Sequence, residues 1–160
     1  MVIGDILAAS GIGRGVLELE LTEPSLMNDS VAAVQALNDM KAFSIRLSVD
    51  DFGTGCSSLA YLGTFPLDAL KIDREFIRNV ISDADDGAIA LAIINLAHSL
   101  KLKVVAEGVE TETQLAFLCA RGCDEIQRIH FSRPLPAEEM TRALREGRRL
   151  TLPTILPAAR

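Results

Sequence analysis

Acidic side chains cluster at the ends of short apolar runs in this chain. Glu20 follows Val16-Leu17-Glu18-Leu19, and Asp50-Asp51 follows Ile45-Arg46-Leu47-Ser48-Val49. Lys71 and Asp73 flank Ile72, and Glu107 follows Val104-Val105-Ala106. Each run reads as a β-strand, so each charged group is expected at the carboxyl end of its strand. In parallel α/β folds the carboxyl ends of the strands share one rim, where residues distant in sequence converge. Carboxylates gathered in this way are hard oxygen ligands suited to magnesium or manganese. Without a cation they repel one another and their pKa values rise. A lysine among them balances charge and orients water.

The elements that must position these groups alternate. Strands are expected near 16–21, 44–50, 68–73, 102–107 and 124–130, and helices over 29–41, 83–100, 111–121 and 136–147. Val2 to Ser10 reads as the back end of an amphipathic helix. Asn28, Asp29 or Ser30 can cap the first full helix and Thr111 the third, while Pro136 with Glu138 and Glu139 suits the first turn of the fourth. Gly122 ends the third. Alternation of this kind implies a mostly parallel sheet. The glycine-rich connection from Phe52 to Pro66 is long for a compact domain, which marks it as the active-site loop. Gly11-Ile12-Gly13-Arg14-Gly15 precedes a strand and does not join strand to helix, so it reads as a linker turn and not a phosphate loop.

Composition excludes several classes. The 160 residues are 49% apolar and 24% charged with a net charge of -6, enough for one globular core. An acidic chain does not suit a nucleic-acid polymer, and no run reaches the roughly 18 apolar residues of a membrane span. The amino end lacks a signal-peptide pattern, so a cytoplasmic product is expected. Cys56, Cys119 and Cys123 lack zinc-site spacing and read as small apolar side chains. His98 and His130 read as packing or surface histidines.

Four blocks, in order, resemble the EAL family of cyclic di-GMP phosphodiesterases: Glu20-Leu21-Thr22-Glu23; Asp50-Asp51-Phe52-Gly53-Thr54-Gly55 with Ser57-Ser58-Leu59; Leu70-Lys71-Ile72-Asp73; and Ala106-Glu107-Gly108-Val109-Glu110. The resemblance runs from about Asp5 to Leu144. It implies an α/β, TIM-barrel-like fold, incomplete, with five parallel βα units where a full barrel takes about 250 residues. Residues 1–147 are then a partial EAL domain and 148–160 a carboxyl-terminal tail, with the amino-terminal third of the domain, including the Glu-Ala-Leu signature and a metal-binding asparagine, expected to be absent.

The resemblance further implies two-metal hydrolysis of cyclic di-GMP to the linear dinucleotide, with Mg2+ or Mn2+ as cofactor. Glu20, Asp50, Asp51 and Glu107 resemble the metal ligands, Asp51 reaching both ions. Lys71 resembles the lysine beside the attacking water, Gln127 the polar group next to that water, Glu110 a nearby acid, and Asp73 a support of the site. Glu23 resembles the glutamate that steadies the loop of Gly53, Thr54 and Gly55. Paired cations of this kind supply a hydroxide at neutral pH and offset charge on the phosphoryl oxygens.

Two departures stand out: Cys56 replaces a tyrosine of the loop, and Arg128 replaces a glycine after Gln127. An arginine there can block close backbone approach or contact phosphate. The expectation is weak or no turnover by the isolated chain, with open sheet edges favouring a homodimer or domain-swapped assembly. Two alternatives come from other classes: a non-catalytic cyclic di-GMP receptor or regulatory domain, and an unrelated metal-dependent barrel enzyme of the enolase-like kind.

Overall fold

The structure, a computed structural model, describes residues 2–22, 25, 30–54, 62–128 and 135–147. Along the chain these form α1 (Val2–Ser10), β1 (Glu18–Thr22), α2 (Ser30–Ala42), β2 (Arg46–Phe52), β3 (Ala69–Ile72), α3 (Arg74–Arg78), α4 (Ala84–Ser99), β4 (Lys103–Val109), α5 (Glu112–Ala120), β5 (Glu125–Arg128) and α6 (Ala137–Arg145). The expected strands and long helices are all present. The expected caps Asn28 and Asp29, the loop residues Gly55 and Cys56, Glu23, His130 and the tail 148–160 lie outside the described residues.

All pairings are parallel and the strand order is β1-β2-β3-β4-β5. The order never reverses, so this is barrel-type winding and not the doubly wound type, whose reversal makes a switch point. The sheet curls strongly. Arg46 on β2 reaches Glu125 on β5 with Nη2 to Oε1 at 3.7 Å, although a flat sheet would hold strands three places apart about 14 Å from each other. On the concave face the amino ends of the strands form a floor of alternating charge: Glu18 pairs with Arg46 at 3.4 Å, and Glu125 pairs with Lys103 at 2.6 Å.

The convex face is apolar. Leu47, Val49, Leu70, Ile72, Val104 and Ala106 are fully buried beneath Ile94 and Ala97 of α4 and Leu115 and Leu118 of α5, in one continuous cluster. Each such aliphatic side chain stabilises the fold by about 1.5–3 kcal/mol relative to exposure. Asp68 ties the start of β3 to its neighbours: it accepts from the Leu47 N–H at 2.7 Å and pairs with Lys41 at 2.6 Å.

The sequence reading misses α3. At five residues it is too short to show helical periodicity, and it forms because Asp73 caps it, accepting from the Glu75 N–H at 2.6 Å. Its far end is held by Gln114 of α5. Thr111 and Gln114 make a reciprocal capping box, with Gln114 Oε1 accepting from the Glu110 and Thr111 N–H groups while Nε2 donates to the carbonyls of Ile77 and Arg78. Gln114 is buried, so losing its amide strands several backbone groups at once. Gln114→Leu is expected to lower stability by about 2–3 kcal/mol, read as a fall in the urea midpoint.

Candidate active site

Glu20, Asp50, Lys71 and Glu107 converge, and each strand runs on past its charged residue: Glu20 is the third of five residues in β1. Asp50 and Asp51 are the fifth and sixth residues of β2, Lys71 the third of β3, and Glu107 the fifth of β4. Alternation puts Asp50 on the concave face with Arg46. Asp51 would then point away, but β2 breaks register between Val49 and Phe52, and Asp51 takes the left-handed conformation with φ 52°. A bulge at this point re-aims a side chain that regular pleating would misdirect. A second irregularity lies between Ala106 and Val109, with Gly108 at φ 66°. Only glycine fits there: a Cβ on Gly108 would stand 2.7 Å from Cβ of Arg74, at the start of α3. That close approach packs α3, with Asp73 at its head, against the strand end that carries Glu107.

At the centre is the ammonium of Lys71, whose side chain is 4% exposed. Its Nζ lies 2.6 Å from Glu20 Oε1 and 3.0 Å from Asp50 Oδ1, and it also pairs with Glu107 Oε1. Burial by itself would drive the lysine pKa down, but contacts with Glu107, Glu20 and Asp50 outweigh it and the net shift is upward. Asp51 shares a hydrogen bond with Asp73, which together with burial and the charges of Asp50, Asp73 and Glu107 raises its pKa. The expected upward shift of clustered acids is thus found at Asp51. Three carboxylates contact one ammonium and two more stand beside them, a surplus of negative charge that suits a hard divalent cation.

Among the described residues, no group of three His, Cys, Asp or Glu is already arranged to hold a metal ion. The reason is visible: the cation at the convergence of Glu20, Asp50 and Glu107 is Lys71 itself. Gln127 lies on β5 two residues beyond Glu125, hence on the same concave face and nearer the rim. Thr54 closes the turn after β2, its N–H and hydroxyl donating to the Asp51 carbonyl at 3.4 and 3.0 Å, and Gly53 adopts φ 99°. Glu110 stands apart from the ring, lining a cavity of about 70 Å³ with Arg74, Arg78 and Gly108. Arg128 ends β5. Sequence reasoning missed Ser48, fully buried on the same face of β2 as Asp50.

A family model described as the EAL domain matches residues 2–134. The chain belongs to the EAL domain family. Among relatives of this EAL chain, the cyclic di-GMP phosphodiesterase NbdA of Pseudomonas aeruginosa is 50% identical over 142 residues, covering 87% of the chain and 18% of NbdA. The bifunctional diguanylate cyclase/cyclic di-GMP phosphodiesterase MucR of the same organism is 48% identical over 124 residues, covering 78% of the chain and 18% of MucR. The chain therefore spans about a fifth of the length of these relatives. Of solved structures, the MucR phosphodiesterase in complex with c-di-GMP superposes with a TM-score of 0.82 at 44% identity, covering 86% of this chain and 56% of that one. The EAL domain of Mycobacterium smegmatis DcpA gives 0.88 at 36% identity, covering 93% and 66%. Five parallel strands with their helices accordingly make up a TIM-barrel-like EAL fold.

The raised Asp51 pKa has a definite sign. An acid whose folded pKa lies above its unfolded value stabilises the fold only while protonated, so Asp51 opposes folding at neutral pH when no cation is bound. Asn tolerates the left-handed conformation as well as Asp does. Asp51→Asn is therefore expected to raise the urea midpoint at pH 7 in chelator, by under about 1 kcal/mol given the exposure of the group, and to lessen any midpoint increase on adding magnesium or manganese. For Lys71 the raised pKa means stabilisation that is intact below about 10.4 and lost as pH climbs through the folded value. Lys71→Met leaves three carboxylates facing one another and is expected to cost about 3–5 kcal/mol at pH 7, measured by urea unfolding.

Proposed function

We propose that this chain contributes to metal-dependent hydrolysis of cyclic di-GMP to the linear dinucleotide. The observation that carries the reading is the ring of Glu20, Asp50 and Glu107 around Lys71, with Asp51 and Asp73 beside it, on the rim where barrel enzymes do their chemistry. Relatives named as cyclic di-GMP phosphodiesterases support the substrate. One matching structure is described as a calcium complex with the cyclic dinucleotide, which supports a divalent ion. Mg2+ or Mn2+ suits the all-oxygen donor set.

Glu20, Asp50, Asp51 and Glu107 would hold the cations. When bound, these supply a hydroxide at neutral pH and counter the charge on the phosphoryl oxygens. Lys71, a fixed ammonium with a raised pKa, stays protonated throughout, so it orients water and offsets charge without exchanging a proton. A carboxylate of the ring, Glu107 by its position next to Lys71, accepts the proton of the attacking water. The new bond is water oxygen to phosphorus, the broken bond is phosphorus to a ribose 3′-oxygen, and that oxygen takes a proton from solvent as it leaves, Glu107 later returning its own to solvent. Gln127, on the same face of β5 as Glu125, would bond that water.

A second reading, a receptor that binds the dinucleotide without cleaving it, is favoured by one observation: Lys71 stands where the described carboxylates converge, so a cation must displace existing ion pairs to enter. Calorimetry and mass analysis of product distinguish the two. Cyclic di-GMP is expected to bind only with magnesium or manganese present, with slow release of linear dinucleotide, and Glu107→Gln to lower that rate roughly 10²–10³-fold. Tight binding without product under every metal condition favours the receptor. Neither binding nor product removes both.

A further inference from the structure

Three buried oxygens on the concave face make no hydrogen bond among the described residues: Ser48 Oγ, Asp50 Oδ1 and Glu107 Oε1. The two carboxylate atoms are paired with the Lys71 ammonium, and each keeps lone-pair capacity for a further bond. Ser48 has no such compensation and is fully buried. Its direction is fixed by pleating, because it lies between Arg46, which crosses the concave face to Glu125, and Asp50, which reaches Lys71. Its register partner on β3 is Ala69, two residues before Lys71, so beside Ser48 that strand presents only a methyl group beneath the lysine.

We propose that Ser48 anchors one buried water on the inner side of Lys71, shared with Asp50 Oδ1 and Glu107 Oε1. The donor count selects water. Ser48 offers one hydrogen, and the two carboxylate oxygens offer only lone pairs. A water accepting from the Ser48 hydroxyl and donating one hydrogen to each carboxylate satisfies all three groups, and three bonds is the usual number for a buried water. Chloride is repelled by the carboxylates, and a metal ion leaves the Ser48 hydrogen unused.

The assignment also divides the carboxylates. The side chains of Asp50 and Glu107 remain 23% and 18% exposed, while the two oxygens in question are sealed. Their other oxygens therefore carry the exposure toward the rim, where a cation or phosphate arrives from solvent. The inner water fixes the carboxylate planes from below and leaves the outer oxygens free. This inference stands whether or not the chain hydrolyses cyclic di-GMP, because its test reads density and stability and not turnover.

The test is a high-resolution crystal structure of the chain grown in chelator. A fully occupied water is expected within about 2.6–3.1 Å of Ser48 Oγ, Asp50 Oδ1 and Glu107 Oε1, and it should remain after a manganese soak. Absence of that density, or an anomalous manganese peak in its place, overturns the proposal. Stability gives an independent sign. Ser48→Ala should lower the folding equilibrium constant about tenfold, because it strands the water's remaining partners. An unpaired hydroxyl would give the opposite result, a variant as stable as the parent or more so, and that outcome also overturns it.

Discussion

The structure depends on one ammonium group held among too many carboxylates. Lys71 is nearly inaccessible, and desolvation alone would favour its neutral form. It stays charged because Glu20, Asp50 and Glu107 contact it from β1, β2 and β4, so one side chain in the middle strand links three others. Removing two charges from water costs several kcal/mol per ion, a cost met only when partners are close on several sides. The sheet must therefore curl enough for β1 and β4, which flank the β2-β3 pair, to reach one point. The curvature seen in the Arg46–Glu125 contact provides that.

Curvature alone does not aim the side chains. Regular pleating would give Asp50 to the rim and turn Asp51 toward the helices, and it would continue β4 straight past Glu107. Two local departures prevent this, the left-handed Asp51 in the β2 bulge and the left-handed Gly108 in β4. A non-glycine residue held at positive φ costs on the order of 1 kcal/mol or more, and such strain persists where the surroundings over-determine it. Here they do. The Thr54 turn locks the Asp51 carbonyl, Asp73 bonds the Asp51 side chain, and α3 is pinned between Gly108 and Gln114.

This explains which parts were legible in the sequence. The strands announced themselves through apolar runs such as Leu47 to Val49 and Val104 to Ala106, whose convex-face residues pack under helices. The acids were legible because carboxylates at the ends of such runs have no packing role. The sequence places two strand ends two residues early, at 50 and 107, since a bulge lets pairing resume at Phe52 and Val109 after a charged residue that reads as a terminus. The helix α3 is hidden by its length, and Asp73, which reads as a site residue, is also its cap. Ser48 escaped for a different reason: a small polar residue between Leu47 and Val49 looks like the solvent side of a strand, but in a barrel the polar side is the interior.

Two charged layers share that interior and differ in balance. On the floor, Glu18 and Glu125 face Arg46 and Lys103, equal numbers of each sign, and the ion pairs close on themselves. At the rim, two residues beyond Glu18 on β1 and four beyond Arg46 and Lys103 on β2 and β4, Glu20, Asp50 and Glu107 meet Lys71, with Asp51 and Asp73 beside them, and among the described residues Lys71 is the one cation of that layer. A balanced layer has no electrostatic reason to recruit anything, and its place at the amino ends suits stability. The unbalanced layer keeps a deficit of positive charge that the Asp51–Asp73 hydrogen bond only partly relieves. Under the proposed function that deficit is what would let an acidic chain accept an anionic substrate: divalent ions drawn to the surplus carboxylates would offset their charge, and the phosphodiester would meet the cations where the unliganded protein presents carboxylates alone.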